Sequence, residues 1–181
     1  MKYHLNWLIE KYNQDEKLKY IFFWGHQPSK DGTITKTCFS QWWMSDFKVE
    51  GVNYPSAEHW MMAEKARLFK DDEMLQKILK TSSPAEAKKF GRQVKNFDKS
   101  IWDKNCFEIV KQGNIHKFSQ DEDLKAFLLK TANRVIVEAS PRDRIWGIGM
   151  SQNNEKAMHP PQWRGRNLLG FVLMEVREEL K

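Results

Sequence analysis

"YPSAEHWMMAEKARLF" (residues 54–69) sets Glu58, His59, Glu64, Lys65 and Arg67 among Trp60, Met61, Met62, Leu68 and Phe69. Pro55 and Ser56 form a helix start, because Ser accepts a hydrogen bond from an orphan N–H of the first turn. The residues that follow predict a helix. At 3.6 residues per turn Glu58, Met62, Lys65 and Phe69 fall on one face, with Glu58 and Lys65 roughly 10 Å apart along the axis and His59 about 100° round from Glu58. A carboxylate and an amine then look the same way but are too distant to pair. One reading gives Glu58 the first turn because the helix dipole favours an acid there, and leaves Lys65 exposed. The other gives both groups chemistry to do.

Outward from this helix the chain reads as α+β. On the N-terminal side "DFKVEGVNYP" predicts two strands turning at Glu50-Gly51, and "YIFFWG" (residues 20–25) a short buried strand, with a polar loop between them. Leu5, Leu8, Ile9 and Tyr12 recur at helical spacing, so residues 1–19 are expected to form a helical extension on a domain spanning 20–181. On the C-terminal side "SSPAEAKKFG" predicts a helix with Ser83 as N-cap, Pro84 first, Glu86 completing a capping box and Gly91 as the stop. Helices are expected from Lys99 to about Gln112 and from Asp121 to Thr131. "RVIVEAS" (residues 134–140) is rich in β-branched residues and predicts a strand. Leu169, Val172, Leu173, Val176 and Leu180 share one face of a final helix. The fold class is a single helix-rich α+β domain with a small β-sheet.

A chain of 181 residues with 40% hydrophobic content is ample for one core. The formal charge of +6 favours anionic partners, but the charges are interspersed as on an ordinary solvated surface. The two cysteines, Cys38 and Cys106, have no zinc spacing and fit a reducing, cytoplasmic setting. No apolar run approaches the length of a membrane span, so no membrane partner is expected. The five histidines form no metalloenzyme motif, and there is neither a G-x-S-x-G elbow nor a phosphate loop ending in Gly-Lys-Ser/Thr. No metal and no cofactor is expected.

Two further stretches hold candidate ligand groups. In "DRIWGIGM" Asp143 and Arg144 follow a strand, and Gly147 and Gly149 follow Trp146; glycines there let backbone approach a ligand, while a tight turn around a core Trp is the plain alternative. "WRGRN" (residues 163–167) sets Arg164 and Arg166 before an N-cap Asn167, an anion site or simply a capped helix.

Together "IFFWG", "FSQWW", "YPSAEHWMMAEKARLF", "SSPAEAKKFGRQV", "IWDKNCFEIV", "DRIWGIGM" and "WRGRNLLGFVLMEVREEL" resemble the NADAR (YbiA-like) family, in that family's order and over residues 20–181. The resemblance implies the YbiA-like α+β fold and hydrolysis of N-glycosidic bonds. Two activities are implied: removal of ADP-ribose from guanine in nucleic acid, in some members as antitoxin to a DNA-modifying ADP-ribosyltransferase toxin, and cleavage of phosphorylated ribosylaminopyrimidine intermediates of riboflavin synthesis. The implied partners are an ADP-ribose or ribose-phosphate substrate, ADP-ribosylated DNA or RNA, and a cognate toxin. Glu58 matches the acid of the family's P-T/S-x-E-H motif, Lys65 the helix lysine after it, Trp102 the tryptophan of the "W" helix and Asp143 the acid before W-G. Trp146, Gly147, Gly149, Asn167 and Gly170 match the glycine-containing motifs. Ile148 stands where one branch has Asp, a departure that bears on substrate preference.

Cleavage of a C1′–N bond builds positive charge on the sugar, which a carboxylate at Glu58 or Asp143 stabilises. Lys65 is a candidate to grip phosphate or, deprotonated, to attack C1′ as a Schiff-base nucleophile. Trp102 and Trp146 suit a base or the core, and Arg144, Arg164 and Arg166 suit phosphate oxygens. A non-catalytic ADP-ribose or NAD sensor is the alternative to an enzyme.

Overall fold

The computed structural model describes all 181 residues. In chain order the elements are α1 (Leu5–Asn13), β1 (Tyr20–Phe23), β2 (Met44–Val49), β3 (Val52–Ser56), α2 (Ala57–Leu68), α3 (Asp72–Lys80), α4 (Pro84–Gly91), α5 (Lys99–Ser119), α6 (Glu122–Leu129), β4 (Val135–Glu138) and α7 (Leu168–Glu179), with three short 3₁₀ turns. The class is α+β. Its strands form two separate two-stranded sheets rather than one. No helix is long and apolar enough to cross a membrane.

The chain forms two compact units, residues 41–122 and residues 1–40 with 123–181. In the 41–122 unit β2 and β3 are antiparallel. Glu50 (φ 49°) and Gly51 (φ 83°) make the turn, both in the left-handed region that a two-residue hairpin of this type requires. β3 runs directly into α2, where Ser56 Oγ accepts from His59 N–H as the N-cap. α2 is buried from Ala57 to Ala63, so it is the central helix of this unit and packs on α3, α4 and α5. Phe47, Tyr54, Trp60 and His116 form its aromatic core.

The other unit pairs β1 with β4 in parallel, Tyr20 opposite Val135 through Phe23 opposite Glu138. α7 lies on β4 so closely that a Cβ on Gly170 would come within 2.1 Å of the Ile136 carbonyl. α7 is buried continuously from Leu168 to Met174, more than the one-faced pattern expected. Residues 1–19 are part of this unit: Leu8 is fully buried, and Tyr12 Oη meets His159 Nδ1 at 2.7 Å.

Four expectations need correction. α3 was not anticipated, although Asp71 caps it through its side chain and Met74 and Ile78 face inward. α5 continues seven residues past Gln112, because Gly113 is a packing glycine in mid-helix rather than an end. At α4 Ser83 caps as expected, but Glu86 accepts no return bond from the Ser83 N–H, which donates to Thr81 Oγ1; the Glu86 carboxylate accepts from Thr81 Oγ1 instead. β1 is only half-buried, and Trp24 just beyond it is 63% exposed.

Candidate functional site

Within the 41–122 unit α2 sets out the chemistry. Glu58 occupies its first turn and is 3% exposed, and its N–H donates to the Gln41 carbonyl at 2.9 Å. Gln41 is itself buried and donates to Asn114 Oδ1, so the residue that opens the turn beside Glu58 is pinned to α5. Glu58 thus stands in the first turn, where the partial positive charge of the α2 N-terminus lies. His59 is buried next to it, with Nδ1 2.8 Å from Ser56 Oγ, and burial pulls its pKa below the usual histidine value.

Two turns further on, Lys65 is half-buried rather than exposed. Its Nζ donates to the Gly91 carbonyl at 2.8 Å, the end of α4, and lies 4.2 Å from the centre of the Phe97 ring and 5.6 Å from that of Trp102. No carboxylate pairs with it. Burial, and then the nearby charge of Arg92, lower the Lys65 pKa from the ordinary lysine value, which raises the fraction of neutral, nucleophilic amine. Phe97 is 45% exposed, so an apolar ring stands open to solvent next to the amine. The loop carrying Phe97 is fixed by the Lys95 N–H, which donates to the buried Asp71 carboxylate at 2.7 Å. Gly91 admits the close approach of α2, since a Cβ there would lie 2.0 Å from Met62 Sδ.

The remaining candidates belong to the other unit. Asp143 Oδ1 accepts from the N–H groups of Ile145 at 2.8 Å and Trp146 at 2.7 Å, and more weakly from Gly147. This closes the 143–149 loop on itself. Gly147 is required for packing, since a Cβ would stand 2.8 Å from the Glu138 carbonyl; Gly149 has φ +69° and sits between the Arg144 and Arg164 side chains. Arg166 N–H donates to the Arg144 carbonyl. The Arg144 and Arg164 side chains thus flank Gly149, Arg166 is tied to the same loop through its backbone, and all three arginines are exposed and outside any salt bridge within 4 Å. Asn167 does not cap α7 through its side chain. Its φ of 54° turns the amide onto β4, where Nδ2 donates to the Ile136 carbonyl and Oδ1 accepts from Glu138 N–H. Asn167 is fully buried in that clamp. Trp146 is half-buried over the same loop. No group of three or more His, Cys, Asp or Glu is arranged to hold a metal ion.

The NADAR domain model matches residues 22–181. The chain belongs to the NADAR family. It is 46% identical over 166 residues to N-glycosidase R617 of Acanthamoeba polyphaga mimivirus, covering 89% of this chain and 96% of that protein. It is 32% identical over 142 residues to N-glycosidase YbiA of Escherichia coli (strain K12), covering 78% of each. The NMR structure of the E. coli protein YbiA superposes with a TM-score of 0.70 at 30% identity, over 90% of this chain and 84% of that one. Both units of the NADAR chain thus fall within the shared fold.

Sequence reasoning missed Phe97, Gln41 and Asn114. Phe97 lies in the short loop before α5, with no periodicity to mark it, and only folding sets its ring against Lys65. Gln41 was visible in "FSQWW" as a polar residue inside an aromatic run, the pattern of a buried hydrogen-bonded group. Asn114 follows Gly113 in the part of α5 that had not been expected to be helical.

Proposed function

We propose that this NADAR protein is an N-glycosyl hydrolase that cleaves the C1′–N bond of a phosphorylated ribosyl group, with ADP-ribosylated guanine in nucleic acid and phosphorylated ribosylaminopyrimidines as its two substrate classes. The observation that carries the reading is the Lys65 amine, half-buried, unpaired with any carboxylate and set under Phe97 and Trp102 on the helix that begins with buried Glu58. That environment suits a nucleophile. A surface lysine gripping phosphate has no need of desolvation.

In the proposed reaction the ribose ring opens to a C1′=N iminium, its ring oxygen taking a proton. Neutral Lys65 then adds to C1′. A proton moves to the base nitrogen, the C1′–N(base) bond breaks, and a Lys65 Schiff base remains. Water adds to C1′ and releases the amine and the free sugar, so the sum is one bond hydrolysed by one water. The Glu58 carboxylate, at the positive end of α2, stabilises the cationic carbon and accepts the proton of the attacking water. Phe97 and Trp102 exclude bulk water and offer faces to a planar base. In the other unit, Arg144, Arg164 and Arg166 are guanidinium groups of the kind that bind phosphate oxygens. We assign Asp143 and Asn167 to holding their loops, because their side chains already bind backbone there.

The test is incubation with guanine-ADP-ribosylated DNA and, separately, with the phosphorylated ribosylaminopyrimidine, following free ADP-ribose or ribose 5-phosphate, each beside Glu58→Gln. Release from DNA alone identifies a repair hydrolase suited to oppose an ADP-ribosyltransferase toxin; release from the pyrimidine alone identifies metabolite clearance. Tight ADP-ribose binding with release from neither overturns the reading in favour of a sensor.

A further inference from the structure

A cavity of about 840 Å³ lies wholly within the unit formed by residues 1–40 and 123–181, between the N-terminal segment and the end of α7. Tyr3 and Trp7 from α1 and its approach form one wall, their rings 4.8 Å apart edge to face. Arg177 lines the cavity from α7 and is only 3% exposed. Its Nη1 donates to Thr131 Oγ1 and to the Arg134 carbonyl, each at 2.8 Å. Nε is buried without an acceptor.

A buried guanidinium with no counter-anion is costly, and proteins retain one mainly where an anion completes it. Neither carboxylate that lines this cavity makes a salt bridge with Arg177, although the Glu178 charge is felt there. Glu178 is taken by Lys2 and by the Tyr3 hydroxyl, and Glu16 by Lys11. Burial pulls the Arg177 pKa down from its ordinary value, and the nearby Tyr3 and Glu178 charges only partly offset it. At the rim Lys17, Lys19 and Lys181 are exposed and make no salt bridge within 4 Å, so the cavity presents four cations to whatever enters. A volume in this range holds a small molecule rather than a single ion.

We propose that this cavity is a binding site for a phosphate-bearing aromatic small molecule of the nucleotide class, its phosphate on Arg177 and the rim lysines and its ring against Trp7. It is distinct from the Lys65 site, which lies in the other unit, and it stands independently of the N-glycosidase reading. It also gives residues 1–19, which precede the matched domain, a ligand-binding role.

The experiment is a titration of the uniformly ¹⁵N-labelled full chain with AMP and, separately, with inorganic phosphate, observing the Trp7 indole N–H and the Arg177 Nε–H. AMP is expected to shift both signals saturably, and phosphate to shift Arg177 more than Trp7. Lys17→Glu with Lys19→Glu is expected to weaken both ligands about tenfold or more, as loss of two charge contacts does. Trp7→Ala is expected to weaken AMP while sparing phosphate. All three positions are at the surface or half-exposed, and an unchanged Tm confirms that the fold survives. The proposal is overturned if neither signal responds at millimolar ligand, if the charge reversal leaves the affinity unchanged, or if AMP shifts only residues between 58 and 102.

Discussion

Replacing Gly113 by Ala places a methyl group in mid-helix, where ordinary propensity favours it by about 1 kcal/mol. Here the opposite is expected. The new Cβ would stand 2.3 Å from Trp60 Cδ1 and 2.9 Å from both Cγ and Nε1. The ring has little freedom to yield: Trp60 is 9% exposed, its Nε1 donates to the Ile109 carbonyl at 2.8 Å, and it packs edge-on against Tyr54 and His116. Overpacking of this kind costs about 1–3 kcal/mol, and straining the indole hydrogen bond costs about 1 more. After the propensity gain, a net loss of about 1–3 kcal/mol remains, which for a chain of this size lowers Tm by roughly 2–12 °C. Calorimetry of Gly113→Ala measures it directly. Trp60→Leu removes the obstructing ring, so the double variant should be more stable than the sum of the single losses predicts, with a coupling of about 1 kcal/mol or more. A Gly113→Ala protein as stable as the parent, or losses that simply add, would refute the claim that Trp60 dictates glycine at this position.

Four further outcomes follow from the site. Glu58→Gln should lower kcat by about 10²-fold or more with the Tm nearly kept, read by product release under single-turnover conditions. Borohydride added during turnover should trap the sugar on Lys65, detectable by peptide mass, and Lys65→Ala should abolish both the adduct and the activity; a fully active Lys65→Ala protein removes the Schiff-base step. Because burial depresses the Lys65 pKa, the neutral amine forms at lower pH than on a free lysine, so the alkaline rise of kcat should have its midpoint below the ordinary lysine value of about 10.4, and a midpoint at or above it contradicts the desolvated site. His59 is likewise depressed, so the folded state binds fewer protons than the unfolded chain. Stability is then full above the unfolded value of about 6.5 and falls as pH drops through it towards the folded value; His59→Gln should show a smaller fall in Tm between pH 7 and 5.

Much of the fold was legible because local chemistry and tertiary outcome agree. The turn at Glu50-Gly51, the Ser56 cap of α2, Ser83 and Pro84 at the start of α4 and the β-branched run of β4 are each set by a few adjacent residues. Where a residue's role depends on something distant, it was not. Gly113 reads locally as a weak point in a helix and is in fact the space Trp60 needs; Asn167 reads as a cap and instead clamps β4. The sequence by itself determined the α+β class, the family, and that Glu58 and Lys65 share a helix, because helical periodicity and ordered motifs are properties of the chain. Only the tertiary structure decided that Lys65 lies desolvated beneath Phe97 and Trp102, that Asp143 spends an oxygen on its own loop, and that Arg177 is buried without an anion. Desolvation is imposed by neighbours brought from elsewhere in the chain, and no local pattern records it.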